Sequence, residues 1–550
     1  RARSAAGAGA PAGAPPPLRW SPRGHVLAVR DGAHYRVLRR YGSGTVRWRL
    51  YAPDGEQREY DVDGRLIAVR HPDDPLSDLT LAYRNPVDDE GSLYAQGWLH
   101  TVTDGRGRQL RFEYDANRRL SRIVQPDGAS VTYSYDAIGN LVTVDYGGMS
   151  VKSYHYAEPG LVANATQRHH LTGISSENGE RYASFRYDAK GRAIESRVLG
   201  SPNEAPTVTS GSDTQARVPT ANGLQRVYSR QAGLYRRITG IVEGGNSLSQ
   251  QYDASARITR NTDRRGVVTD YAYADGYLSA VTEAVGTPQQ RRQEIDRDPA
   301  TQRVLEMRTR DAAGGLVART TYAYNARGQL QTATAHDPVT GASRIATTAY
   351  CEQADVTAGT CPAVGLVQSI DGPRTDVADI TRFHYRQSDA PECAASPSTC
   401  AWRKGDLWKT VNALGHTAEV LAYDGAGRVK SIKDEHGIVT EVEYNARGWP
   451  VRQIVRGADP ASELDDAITV IEYTADGLVR KLVEPGRSFT LFGYDAGQRL
   501  TTVADSDGNA VVYTLNAAGE RTAERTYDAT GTLTQSFTRT LHNPGQLTSV

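Results

Sequence analysis

Three sets of side chains in this 550-residue sequence have the chemical types for catalysis or ligand binding. The first is a series of pairs: Tyr114-Asp115, Tyr135-Asp136, Tyr187-Asp188, Tyr324-Asn325, Tyr423-Asp424, Tyr444-Asn445 and Tyr494-Asp495. A phenol beside a carboxylate could shuttle a proton. The competing reading is structural, because a turn favours Asp and a strand favours Tyr. The second is His169-His170, a candidate metal pair. Neighbouring residues on a strand point to opposite faces, so a place in a loop or at a strand end fits them better. The third is Asp before Gly at Asp54, Asp127 and Asp507, which lacks the acidic ladder of a calcium loop and reads as turn former. No zinc spacing, phosphate loop or Gly-x-Ser-x-Gly elbow occurs. No catalytic residue, cofactor site or metal ligand is assigned, and the chain reads as non-enzymatic.

The four cysteines form two close pairs. Cys351 and Cys361 are ten residues apart, and Cys393 and Cys400 are seven apart, in a stretch rich in Gly, Pro, Ser and Ala. An even count in a loop points to two local disulfides and an oxidising compartment. Structural zinc is the rival, and it prefers tighter Cys-x₂₋₄-Cys spacing.

The Tyr-Asp pairs must be carried by hairpins. "YDAIGNLVTV" at 135–144 reads as strand, tight turn, strand. Asp opens a type I turn, and Gly accepts the left-handed conformation at the bulge that follows. The turn glycines are Gly139, Gly191, Gly328, Gly427, Gly448 and Gly497. Arg118 and Ala256 stand where Gly is expected, so those hairpins should be strained or differently shaped. "YADGYL" at 273–278 is one residue shorter.

The spacing is regular. Tyr114 to Tyr135, Tyr252 to Tyr273, Tyr423 to Tyr444 and Tyr473 to Tyr494 are all 21 residues. A second turn signal falls midway, as in Asp127-Gly128, His436-Gly437, Pro485-Gly486 and Asp507-Gly508. Two strands and two turns therefore fill each period, which is the signature of an array rather than of separate domains.

Composition agrees. The hydrophobic fraction is 39%, and Tyr numbers 30 against 6 Phe and 2 Met, which suits thin amphipathic sheet faces rather than a thick core. Lys plus Arg and Asp plus Glu are 64 each, with no basic stripe for nucleic acid. Arg dominates the basic residues, which reads as coding bias. No apolar run is long enough for a membrane helix.

Along the chain, residues 1–17 form an Ala/Gly/Pro linker, and 18–100 are short strands leading into the repeats. Residues 101–350 are regular repeats, 351–405 an irregular insertion holding all four cysteines, and 406–550 further repeats that stop in mid-pattern. No helix is expected. The fold class is all-β, a β-hairpin array. At this density the chain holds roughly 50 strands, and a flat ribbon of them would run roughly 240 Å. Open sheets rarely exceed about ten strands without curling, and exposed edges invite aggregation. A long antiparallel sheet that spirals into a hollow shell answers both constraints. A β-propeller is the alternative closure.

The copies "YDANRRL", "YDAIGNL", "YDAKGRA", "YNARGQL", "YDGAGRV" and "YNARGWP" resemble the YD repeats of the Rhs (rearrangement hotspot) proteins. These repeats also occur in the shell component of bacterial insecticidal toxin complexes and in teneurins. The resemblance implies a spiralling β-cage around a C-terminal toxin, delivered by a secretion or injection apparatus from a bacterium, and hence a secreted or cell-surface location. In that family an Asp-Pro-x-Gly-Leu core frees the toxin. Here Asp74-Pro75, Asp298-Pro299, Asp337-Pro338 and Asp459-Pro460 all lack the x-Gly-Leu continuation, so self-cleavage residues are not assigned. The alternative function is an extracellular adhesion array, with Tyr-rich faces as carbohydrate platforms. The expected partners are the toxin cargo and the delivery apparatus, with neither nucleic acid nor a transmembrane segment involved.

The cysteine reading gives a direct expectation. The unreduced, denatured protein should take up no thiol-alkylating label at Cys351, Cys361, Cys393 or Cys400. Four labelled thiols, or stoichiometric zinc, would reject the disulfides.

Overall fold

The computed structural model describes residues 26–31, 34–40, 45–46, 48–52, 55–83, 97–148, 150–198, 209–212, 215–219, 225–231, 237–459, 462–516, 519–542 and 546–549. The expected linker at 1–17 lies outside these residues. The two turns of each period generate up-and-down meanders, and within each sheet every described strand pairs antiparallel with its sequence neighbours. A 15-stranded sheet runs from Val26–Asp31 to Ala193–Val198, and a 27-stranded sheet from Thr209–Ser212 to Leu533–Thr538. A two-stranded ribbon, Thr540–His542 with Gln546–Ser549, follows. In neither long sheet is the first described strand hydrogen-bonded to the last. A propeller would break this order into four-stranded blades, so the unbroken 27-strand ladder removes that alternative.

One repeat shows how sequence becomes register. Gln109–Tyr114, Leu120–Val124, Ser130–Tyr135 and Leu141–Asp145 are successive strands. Tyr114 lies opposite Leu120, and Tyr135 opposite Leu141, with a register shift just before each Tyr. The extra residue of this bulge fixes which face each side chain takes, because a one-residue slip would invert the whole strand.

The turn tolerates substitution at its left-handed position. Gly139 has φ 93°, and Arg118 and Ala256 take φ 65° and 68° in its place. Their backbone closure is that of the glycine copy: Arg118 N–H donates to Asp115 C=O at 2.9 Å, as Gly139 N–H does to Asp136 C=O at 3.1 Å. These hairpins are therefore strained but not reshaped. In the copy at Tyr494 the left-handed residue is Gln498 (φ 63°), not Gly497, which donates its N–H to Asp495 instead. Arg487 likewise replaces Gly486 as the left-handed residue, because position in the loop and not residue type decides φ. The short copy closes as a two-residue turn, with Asp275 and Gly276 both at positive φ and Ala274 opposite Tyr277.

The stretch 351–405 is not a single insertion. It contributes strands Val367–Asp371 and Ile380–Tyr385 to the ladder, which leaves two separate loops, 351–366 and 386–406. The first holds a five-residue helix, Gln353–Thr357, closed by a reciprocal capping box between Glu352 and Asp355. The second holds 3₁₀ turns at Pro391–Ala394 and Pro397–Thr399. Elsewhere the wall is thin. Most strand residues are half-buried, and the buried apolar residues are scattered and mainly small, such as Ala68, Ala183, Ala280 and Ala523, with Ile454 the largest.

Replacing Arg118 by Gly removes the left-handed penalty of a residue with a Cβ. The substitution should stabilise its hairpin by about 1 kcal/mol, read as slower hydrogen exchange across 109–124. The reverse change, Gly139→Arg, should speed exchange across 130–145.

Candidate functional site

The residues singled out by sequence converge on a structural unit. Tyr135 Oη donates to the Leu120 carbonyl at 2.9 Å, and Leu120 opens the return strand of the preceding copy. The same reach joins Tyr114 to Leu99, Tyr187 to Leu171, Tyr324 to Val304, Tyr423 to Leu407, Tyr444 to Val429 and Tyr494 to Val479, at 2.8 to 2.9 Å. Each such bond contributes about 1 kcal/mol and ties one hairpin to the next.

The acidic partner closes its own turn. Asp115 Oδ1 accepts the N–H groups of Asn117 and Arg119, and Oδ2 accepts Arg119 Nε at 2.8 Å. Asn445 and Asn325 accept the equivalent two N–H groups through Oδ1, so the turn needs an acceptor and not a charge. The hydrogen-bonded N–H groups hold the Asp115 and Asp188 carboxyls below the usual range. At Asp136 burial pushes upward, but the Asn140 backbone and amide outweigh it and the net shift is down. Burial raises the tyrosine hydroxyls of Tyr114 and Tyr135. Both directions move these groups away from neutrality, the reverse of what acid–base catalysis requires.

The arginine four residues after the Asp is part of the repeated motif, and its role appears only in the structure. Arg119 pairs with Asp115 and lies 4.6 Å from the Tyr135 ring of the next copy. Arg257 and Arg428 repeat this over Tyr273 and Tyr444, at 4.5 and 4.9 Å. The signal was available in the spacing, since Arg65, Arg192 and Arg499 also follow Asp61, Asp188 and Asp495 by four.

His169 and His170 sit in a turn before strand Leu171–Ser175. His169 Nδ1 meets Asn140 Oδ1 at 2.7 Å, and His170 packs edge-on against Tyr187. Among the described residues no group of three His, Cys, Asp or Glu could hold a metal ion. No described helix is long and apolar enough to cross a membrane.

Because strands alternate in direction, Tyr-Asp turns project from one rim of a sheet and mid-period turns from the other. The mid-period rim of the first sheet meets the Tyr-Asp rim of the second. The joined residues are 256 to 301 positions apart in sequence. Arg108 Nη2 reaches both oxygens of Asp406, at 2.7 and 2.8 Å, and Asp406 is 5% exposed. Arg428 Nη2 reaches Asp127 Oδ2 at 2.6 Å. Arg447 lies between the rings of Tyr146 (4.0 Å) and Trp449 (4.2 Å) and donates to Ser150, Glu177 and the Ala475 carbonyl. Gln329 Nε2 bridges the carbonyls of Asp73 and Gly365.

The cysteine loops lie on this seam. Cys351 is bonded to Cys361 and Cys393 to Cys400, with Cα atoms 6.0 and 4.5 Å apart. Leu76 of the first sheet packs with Cys351, Cys361 and Leu366 in one buried cluster.

A family model of the RHS repeat matches residues 94–130, 119–148 and 423–459, segments that contain the Tyr114, Tyr135 and Tyr444 turns. These segments of the chain carry RHS repeats. Two curated relatives from Dickeya dadantii, named probable deoxyribonucleases RhsB and RhsA, are 30% and 28% identical to it over 135 residues. The match covers 23% of this chain and only 8% of each relative. Among solved structures, the crystal structure of TcdB2-TccC3 aligns with 98% of this chain and 30% of its own, at 14% identity and TM-score 0.49. The same complex without its hypervariable C-terminal region aligns with 94% and 27%, at 13% identity and TM-score 0.47.

Two seam tyrosines give a pH prediction. Burial raises Tyr385 and Tyr423 to about 12 from a reference value of 10.0, and the Asp406 charge adds to the rise at Tyr423. A folded-state pKa above the unfolded one leaves their stabilisation intact below pH 10 and removes it as pH climbs through 12. In a phenolate-absorbance titration these two groups should ionise last, together with loss of near-ultraviolet circular dichroism. Tyr423→Phe removes the bond to the Leu407 carbonyl and should weaken that tether within the second sheet by about 1 kcal/mol at neutral pH and reduce the late step.

Proposed function

We propose that this chain is a wall segment of a bacterial RHS shell, non-enzymatic itself, which encloses a C-terminal toxin and releases it after delivery outside the producing cell. The observation that carries this reading is the seam. A chain whose two successive sheets interlock rim to rim (270 to 301 residues apart for the Arg108, Arg428 and Arg447 contacts) has come back alongside itself, as a wall that bounds a volume would. The deoxyribonuclease names of the Dickeya relatives fit a nuclease cargo carried by the parts of those proteins outside the matched segment. The repeat carboxylates are consumed by turn bonds and arginines, which fits a wall better than an active site.

The second reading, an adhesion array, draws on one feature. A cleft of about 430 Å³ is lined by His384, Tyr385, Trp402 and Trp408 with polar Gln387 and Ser388. Aromatic faces beside polar groups suit sugar binding, but Arg386 stacks on both indoles and Lys409 on Trp408, which occupies ring surface a sugar would need. Glycan-array binding abolished by Trp402→Ala would favour this reading.

The shell reading is tested on the full reading frame that contains this segment. The cargo should resist added protease while the wall is intact. Asp406→Ala leaves Arg108 facing a seam without its carboxylate, a loss of several kcal/mol for a buried pair, and cargo digestion should then accelerate. Cargo cut equally fast in both proteins would overturn enclosure.

A further inference from the structure

We infer that the two disulfides are a redox latch on the seam, so that a dithiol reductant separates the two layers of wall. The inference concerns the wall itself and stands whether or not a toxin lies behind it.

All four cysteines lie in the two loops that replace ordinary turns on the seam rim of the second sheet. Leu76, from the turn before Leu79–Tyr83 in the first sheet, is held between these loops. On one side it packs with Cys351, Cys361 and Leu366. On the other it abuts Gly405, where an added Cβ would strike its side chain. Its carbonyl accepts Arg106 Nη1 at 3.2 Å, and Arg106 Nη2 reaches the Gly405 carbonyl. Gly365 closes on the Asp73 carbonyl with no room for a Cβ.

Each disulfide shapes a contacting loop. Cys351 N–H donates to Leu366 C=O, and Gly365 N–H to Cys351 C=O, so the first bridge sets the backbone that meets Asp73 and Leu76. The second bridge closes 393–400 inside loop 386–406. That loop is drawn shut by Ala390 N–H to Trp402 C=O and by Gly405 N–H to Arg386 C=O. It ends on Asp406, which receives Arg108, and carries Ser398 against Gly128 of the first sheet. These loops lack strand pairing, and small local clusters rather than a common core support them. Loss of a bridge therefore falls directly on the seam.

Reduction consumes one dithiol per bridge. The reductant gives two electrons and two protons, the S–S bond breaks to two cysteine thiols, and the reductant closes to its own disulfide. The sulfurs are buried, so attack follows local opening of the loops, which is easiest at the exposed residues 394–397 that lie between Cys393 and Cys400. The latch thus holds under brief exposure and yields to a sustained reducing compartment.

The test is hydrogen exchange on the 550-residue chain, with and without dithiothreitol, read at first-sheet turns that contain no cysteine. Reduction should speed exchange at 71–78 and 104–108 at least about tenfold, and leave the free-rim turn 136–140 unchanged. The double variants Cys351→Ser with Cys361→Ser, and Cys393→Ser with Cys400→Ser, should show the fast exchange without reductant. Should a variant fail to fold, the reductant titration of the native chain decides. Faster exchange confined to 351–406, or bridges that remain intact in the folded protein under reductant, would overturn the latch.

Discussion

A phenol hydroxyl that reaches back to the carbonyl of the preceding copy is the bond on which the architecture depends. It is short, neutral and repeated, and it acts between hairpins rather than within one. A two-stranded hairpin is marginal in water by itself. Tying Tyr135 to Leu120, and Tyr114 to Leu99, turns a string of marginal hairpins into a sheet whose repeats support their neighbours. The bulge before each Tyr is what aims the ring along the wall, so register and tether come from one residue.

Given such a sheet, its rims become the problem. Every turn exposes backbone groups and short polar side chains, and these must find partners wherever they are covered. One rim carries Asp and Arg of the repeat turns, and the other carries mid-period turns. Where the rims meet, arginines of either layer enter the other: Arg428 and Arg447 point into the first sheet, while Arg106 and Arg108 point into the second.

The local half of this structure was legible in the sequence because it is written in turn chemistry. Tyr at the strand end, Asp at the turn and a left-handed residue three positions on each obey rules that act within about six residues. Even the failures are local. Gly497 has the residue type of a turn glycine, whereas the loop length makes Gln498 the left-handed residue. Two ladder strands were hidden in 351–405 because the loops flanking them are richer in Gly, Pro and Ser than Val367–Asp371 or Ile380–Tyr385. The seam was illegible for a different reason. No rule of spacing links Arg108 to Asp406 or Asp73 to Gln329, since those meetings depend on how the two sheets come together and not on local sequence.

The seam also gives a physical reason for the excess of Arg over Lys, which by composition alone looks like coding bias. A thin sheet cannot supply an apolar core between its layers, and turn tips offer mostly carbonyls, hydroxyls and carboxylates. Arg447 meets two aromatic rings with its faces and a hydroxyl, a carboxylate and a carbonyl with its N–H groups. Lysine has three donors on a compact, strongly hydrated charge and no planar face to stack. It could not stack on both rings while donating to all three acceptors. Within the repeat the demand is the same, because Arg119 must bond Asp115 while lying on Tyr135. Thin sheets joined along turn rims and rich in tyrosine select the side chain that stacks and donates in several directions at once.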